Sequence, residues 1–149
     1  QNIGYYTRGP QGTALASTDV TYEVSTAYSS SYGKGNLYDG DASSAWYAQF
    51  ADSSPWVSGI LTSGTKKFTA IHFQGTNGSM NAEQIEIFTT QDGTTWTSQG
   101  VLSASYLNQE SSATVRFLNP IEAKGVKILG INYSFGYFGI GELTFYAEN

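Results

Sequence analysis

The chain has 149 residues and a mass of 16.1 kDa, the size of one domain with room for its own core. It contains no cysteine and a single histidine, His72, which excludes disulfides, thiolate zinc sites, cysteine nucleophiles and multi-histidine metal centres. Seven Lys+Arg against twelve Asp+Glu leave a formal charge of -5, which repels nucleic acid phosphate and anionic membrane lipid alike.

In chain order, residues 1–17 hold Gly9-Pro10 and Gly12 with little apolar periodicity, and read as an approach segment or loosely packed arm. From Val20 the pattern changes: Val20, Tyr22 and Val24 alternate with Thr21 and Glu23, the period of a half-buried strand. Ser29 to Ser31 and Gly33 to Gly35 form a loop, and Asp39 to Ala45 is a second turn-rich stretch. Trp56 to Leu61 and Phe68 to Phe73 read as strands, with the polar loop Gly75 to Asn81 after them. Ile85 to Thr89 alternates again, and Asp92-Gly93 marks a turn before Trp96. Val101-Leu102 and Ala113 to Phe117 are further strands, Asn119-Pro120 is read as a break, and Val126 to Ile131 and Leu143 to Tyr146 close the set around the aromatic loop Tyr133 to Gly139.

No window holds helical periodicity over three turns. Charged residues are 13% and aromatics 15%, so polarity comes from Ser, Thr, Asn and Gln, a balance suited to strands. Short strands with regular turn punctuation predict an all-β chain, a jelly-roll β-sandwich of about eight strands forming one domain over residues 1–149. Trp46, Trp56 and Trp96 are expected as core anchors, because large aromatics dominate such cores. No apolar run reaches the roughly 20 residues of a membrane span. No basic-then-apolar leader opens the sequence, which therefore reads as a mature form or an excised module.

Catalysis finds little support in these residues. Asp39, Asp41 and Asp52 lie close in sequence, but acidic residues in Gly/Ser loops are ordinarily turn formers or calcium ligands. His72 sits within a predicted strand without triad partners, and neither a nucleophile elbow nor a phosphate-binding glycine loop occurs. The segment Asn36-Leu37-Tyr38-Asp39-Gly40-Asp41-Ala42-Ser43-Ser44-Ala45-Trp46 carries more: two carboxylates, hydroxyls and free carbonyls around a glycine suit either a hard cation such as calcium or a plain turn.

Four stretches, in order, resemble the discoidin domain, the coagulation-factor C-type fold, and within it the bacterial family 32 carbohydrate-binding modules. Asn36 to Trp46 resembles the family's Asp-Gly-Asp-x-x-Thr-x-Trp loop, with Ser44 in place of Thr. Trp56-Val57 resembles the opening of the next strand. Ile85-Glu86-Ile87 with Gln91-Asp92-Gly93-Thr94-Thr95-Trp96 resembles the strand and Asp-Gly turn. Pro120 to Ile128 and Gly141 to Tyr146 resemble the last two strands.

The resemblance implies one structural calcium. By position it takes side-chain oxygens from Asp39, Ser44 and Glu142 and main-chain carbonyls from Asn36, Asp41, Ser44 and Gly141. It also implies glycan binding by loops at one end of the sandwich. Galactose-binding relatives carry a His after the loop tryptophan, an Arg and Asn at set spacing, and an aromatic from the last long loop. Here Tyr47 holds the His position, Thr76 the Arg position and Asn81 the Asn position, with Asn77 beside them. Tyr133, Phe135, Tyr137 and Phe138 supply the aromatic loop. One polar match of three points away from galactose and N-acetylgalactosamine.

The implied function is a non-catalytic carbohydrate-binding module or lectin-like domain for a neutral glycan. It would be linked to a catalytic or surface-protein domain and secreted or held at a bacterial cell surface. The alternative is a protein-interaction or spacer module that keeps the fold and has lost sugar binding. A lipid-binding role of the coagulation-factor type is opposed by the acidic charge and the sparse lysine and arginine.

Overall fold

Alternation dictates the layers. In β3 (Val20–Val24) Val20 and Tyr22 are buried while Thr21 and Glu23 are exposed, so one face must meet a second apolar face. The structure, a computed structural model, describes residues 1–133 and 137–149. It supplies that second face with two antiparallel five-stranded sheets packed against each other.

One sheet runs in the order β3, β5 (Trp56–Leu61), β10 (Gly125–Tyr133), β7 (Ala82–Thr90) and β8 (Trp96–Ser103). The other runs β1 (Ile3–Tyr6), β9 (Ser112–Ala123), β6 (Lys66–Gln74), β12 (Glu142–Ala147) and β2 (Thr13–Ala14). A two-stranded ribbon pairs β4 (Trp46–Tyr47) with β11 (Gly139–Ile140) at one end. Of the twelve described strands, eight have five residues or more. The only α-helix among the described residues is α1 (Ser105–Gln109), too short to show as a periodic pattern.

Between the sheets lie Val57, Ile85, Ile87 and Ile128 from one side and Ile71, Phe73, Val115 and Phe145 from the other, all essentially inaccessible. Each such side chain contributes about 1.5–3 kcal/mol on burial. Tyr22 also points inward, and its hydroxyl donates to the Leu143 carbonyl at 2.8 Å, which satisfies the polar tip inside the core.

Several expectations need correction. The first residues are not a loose arm: Ile3 to Tyr6 pair with Phe117 to Thr114, Ile3 is buried, and Thr13-Ala14 pair with β12. Their short strands fall below what period-two reading detects. Asn119-Pro120 does not break the chain but lies inside β9. Pairing with β6 jumps there from Phe68–Ile121 to Ala70–Arg116, so proline's missing donor falls in an irregular stretch of ladder. Asn2 patches this stretch, its carbonyl and Oδ1 accepting from the Leu118 and Asn119 amides at 2.8 Å.

Of the three tryptophans only Trp46 is fully buried; Trp56 and Trp96 are half-exposed on the outer face of the β3–β8 sheet. For Trp96 the reason is a one-residue bulge. Ile87 pairs with Gly100 but Phe88 pairs with Ser98, so Gln99 is the extra residue. Counting back from Leu102 by twos would place Trp96 inside; the bulge turns Ser98 and Trp96 outward and Gln99 inward, where its amide donates to Thr89 Oγ1 at 3.0 Å.

Candidate functional site

The ribbon of β4 and β11 builds the end of the sandwich where the aromatic loops converge. Trp46 is its buried root. Its indole N–H donates to the Thr26 carbonyl at 2.8 Å and its ring meets the Phe138 edge at 5.7 Å and 74°. Alternation then sends the next side chain, Tyr47, to the opposite side. Gly139 lies directly across from Tyr47 in the ribbon, and the ring rests on it: a Cβ at 139 would come within 2.2 Å of the Tyr47 ring. Phe138 fills a similar notch, since a Cβ at Gly130 would fall 2.5 Å from its ring.

Around Tyr47 stand more rings. Its centroid is 5.0 Å from Tyr32 and 5.6 Å from Tyr137. Tyr137 is 4.6 Å from Tyr28 and 4.7 Å from Phe50, and Tyr28 is 5.8 Å from Tyr32. A hydroxyl contact ties the cluster, Tyr47 Oη lying 3.2 Å from Ser79 Oγ, and the neighbouring Tyr28 hydroxyl raises the Tyr137 phenol above its ordinary pKa. The Tyr28 amide donates to the Tyr47 carbonyl at 2.7 Å. Four segments, holding Tyr28 and Tyr32, Tyr47 and Phe50, Ser79, and Tyr137, therefore meet at one rim.

The expected ligand residues divide. Tyr47 and Tyr137 are half-buried and face this rim. Asn77 is exposed on the neighbouring loop. Asn81 takes a left-handed backbone (φ 60°), which asparagine tolerates, and its amide donates to the Tyr137 carbonyl at 2.8 Å and the Ser79 carbonyl at 3.2 Å. That amide joins the two loops rather than facing outward. Thr76 is fully buried, its hydroxyl donating to the Glu110 carbonyl at 3.2 Å. Phe138 is fully buried against Trp46 and Gly130, so it supports the rim from below. Phe135 and the Tyr133 side chain lie outside the described residues. Tyr28, Tyr32 and Phe50 were missed; the available signal was aromatic residues embedded in polar loops, beside Ser29 to Ser31 and before Asp52.

On the flank of the same end, the Asp39 loop meets the start of β12. The Asp39 and Glu142 carboxyl groups face each other closely enough to shift each other's titration. Ser44 Oγ donates to Asp39 Oδ2 at 2.5 Å and the Gly40 amide to Glu142 Oε1 at 3.1 Å. Burial, with the neighbouring Asp39 carboxyl, pushes Glu142 up to about 7, while bonds from Ser44 and Glu142 lower Asp39. The only ion pair among the described residues is Lys34–Glu23, so no basic side chain neutralises this carboxyl pair. Asp41 Oδ1 faces Ser43, whose amide and hydroxyl donate to it, and the Asp41 carbonyl accepts from Ser44. The Asn36 amide donates to the Ser31 and Ala45 carbonyls and braces the loop. Gly141 lies against the Ala42 carbonyl, which a Cβ would meet at 2.8 Å. No group of three or more His, Cys, Asp or Glu side chains converges among the described residues. The cluster is two carboxyls supplemented by hydroxyl and carbonyl oxygens.

The remaining ionisable candidates have local duties. Asp52 accepts from Ser25 and Thr26 hydroxyls at 2.6 and 2.7 Å and staples a loop. His72, lowered by burial, has Nδ1 2.8 Å from Thr114 Oγ1 on the outer face of its sheet.

A family model described as the F5/8 type C domain matches residues 17–143. Among solved structures, the chain is similar to CpGH89CBM32-5 from Clostridium perfringens in complex with GalNAc-β-1,3-galactose, at 16% identity and TM-score 0.78, covering 91% of this chain and 100% of that one. It is also similar to the family 32 carbohydrate-binding module of C. perfringens NanJ in complex with galactose, at 22% identity and TM-score 0.74, covering 90% and 98%. Chitosan-binding module 1 of a Paenibacillus chitosanase/glucanase aligns at 16% identity and TM-score 0.71, covering 87% and 96%. Comparison with curated protein sequences finds no match.

Proposed function

This chain belongs to the F5/8 type C domain family, and from that premise we propose that it is a non-catalytic carbohydrate-binding module, or lectin-like domain, for a neutral glycan. One observation carries the reading: Tyr47, Tyr137 and the Ser79–Asn81 segment, which lie far apart in sequence, meet at a single rim with tyrosine hydroxyls among the rings. Rings offer apolar faces to a sugar's C–H surface, and hydroxyls and amides supply directional bonds. Lys34, the basic side chain nearest in sequence to this rim, is engaged by Glu23 at 3.1 Å, which favours an uncharged ligand over a polyuronate. A host protein secreted by or displayed on a bacterium, with a catalytic or surface domain attached, agrees with the sugar-complexed bacterial neighbours.

The same reading includes a structural calcium at the Asp39 loop. The donor chemistry fits: two facing carboxyls without a basic partner and a hydroxyl on Asp39 suit a hard divalent cation. Asp39, Ser44 and Glu142 would hold it, with carbonyls from Asn36, Asp41, Ser44 and Gly141. A bound ion would tie the loop to β12 and add about 2.7 kcal/mol of stability at a hundredfold excess over its Kd.

The alternative of a spacer or protein-interaction module draws on one observation, that Thr76 and the Asn81 amide are turned inward. A glycan array with affinity-gel retention, run with and without chelator, separates the readings. The expected result is retention on a neutral glycan, with affinity of micromolar to millimolar order, roughly -8 to -4 kcal/mol. Chelator is expected to lower the thermal midpoint, and Asp39→Ala to abolish that sensitivity. Absence of retention on every glycan would support the spacer reading, and an unchanged midpoint would remove the calcium.

A further inference from the structure

We infer that the rim binds a chain of several neutral sugar units rather than one terminal sugar, with Tyr28, Tyr32 and Phe50 forming subsites on either side of Tyr47 and Tyr137. This rests on the glycan-binding reading above and specifies its ligand class.

The first argument is the extent of the ring cluster. Tyr32, Tyr28, Tyr137 and Tyr47 close a circuit with centroid steps of 5.8, 4.6, 5.6 and 5.0 Å, each step comparable to the width of one pyranose. Phe50 extends the cluster 4.7 Å beyond Tyr137. A site for one sugar needs one such ring; five linked rings cover more than one sugar unit.

Exposure is the second. Phe50 is 60% accessible, Tyr28 47% and Tyr32 36%, and these are three of the six exposed large hydrophobic side chains among the described residues. The other three, Tyr38, Tyr106 and Leu118, stand outside this ring cluster. A concentration of accessible rings at one place marks a contact surface, whereas scattered single ones do not. The outer rings extend the surface beyond the half-buried pair that defines its centre.

Shape and charge select the ligand. Neighbouring rings in the cluster are tilted by 49–59°, so the surface is faceted. A flat crystalline polysaccharide needs coplanar rings; a single flexible chain turns from unit to unit and can follow facets. With Lys34 held by Glu23, the ligand gains from ring faces and tyrosine hydroxyls rather than from ion pairs. Tyrosine suits this task, because it offers a large amphipathic contact with few rotors to freeze.

The test is isothermal titration of the full chain with glucose, galactose and N-acetylglucosamine and with the β-1,4-linked tetramer of each. At least one tetramer is expected to bind about tenfold or more tightly than its monomer, the change that ~1.4 kcal/mol produces. Tyr28→Ala and Phe50→Ala are each expected to bring that tetramer-to-monomer ratio towards one, with circular dichroism and thermal midpoint showing the folded state. Phe50, the more exposed, keeps the test open if Tyr28→Ala does not fold. Equal binding of monomer and tetramer by the parent, or an undiminished ratio in Phe50→Ala, overturns the chain-binding inference and leaves glycan binding standing. Binding of no sugar overturns both.

Discussion

The molecule carries two aromatic clusters of opposite construction. At the rim, tyrosines and Phe50 from separate loops lean on one another, and the Tyr47 hydroxyl reaches Ser79. On the outer face of the β3–β8 sheet, Trp56, Phe88 and Trp96 surround a single ammonium, with Lys127 Nζ 5.7, 5.2 and 4.7 Å from their ring centres. Strand register fixes the second cluster: Lys127 pairs with Phe88 and, two residues on, Leu129 pairs with Trp56. Its rings are held by the cation among them. The rim rings are held by tertiary closure of four segments and keep accessible faces at Tyr28, Tyr32 and Phe50. Aromatic side chains thus serve cohesion in one place and, on the proposed function, recognition in the other.

The contrast breaks most severely at the rim's root. Trp46→Ala removes a fully buried ring, its bond to Thr26 and its contact with Phe138, and is expected to cost about 3–5 kcal/mol. Chemical denaturation measures this, and glycan retention should fail with it. A loss below about 1 kcal/mol would mean that the rim does not rest on Trp46.

A gentler change addresses recognition more directly. Gly139→Ala would place a methyl within 2.2 Å of the Tyr47 ring and 3.0 Å of the Trp46 carbonyl. Overpacking of this kind costs about 1–3 kcal/mol. Because the ring is the part able to move, the expected signature is weakened glycan binding by a protein that remains folded, read by titration alongside melting. Unaltered affinity would show that Tyr47's position is not what the ligand senses.

How far the sequence revealed these features follows from the same physics. Val20–Val24 and Trp56–Leu61 were legible to the residue, because half-buried strands alternate and end at turn residues. Tyr47 was legible as outward, since it follows a tryptophan that pairing sends inward. Phe138 was not, because the notch at Gly130 that receives it lies on a strand remote in sequence. Thr76 has the composition of a ligand-loop residue, yet the Glu110 carbonyl takes its hydroxyl. Tyr28 and Tyr32 reach the rim through the Tyr28–Tyr47 backbone bond and ring contacts with Tyr137 and Tyr47, non-local contacts that no local pattern encodes.

Trp96 offers the smallest effect and the sharpest contrast with Trp46. Sequence reading places it in the core as a large aromatic, whereas the bulge at Gln99 turns it onto the sheet's outer face, half-exposed beneath Lys127. A half-exposed ring forfeits only part of its transfer energy on truncation, and a cation–π contact at such a site is worth about 0.5–2 kcal/mol. Trp96→Ala is therefore expected to cost roughly 1–2 kcal/mol, below the Trp46 loss, and to leave glycan affinity unchanged because its contact with Lys127 lies on the sheet face. A double-mutant cycle with Lys127→Ala isolates the ring–ammonium part, expected at about 0.5–1 kcal/mol. If the single variant instead lost 3–5 kcal/mol, the ring would be acting as core and the register across Gln99 would be wrong. If it weakened glycan binding, the two clusters would not be separate in function, and the sheet face would belong to the ligand surface.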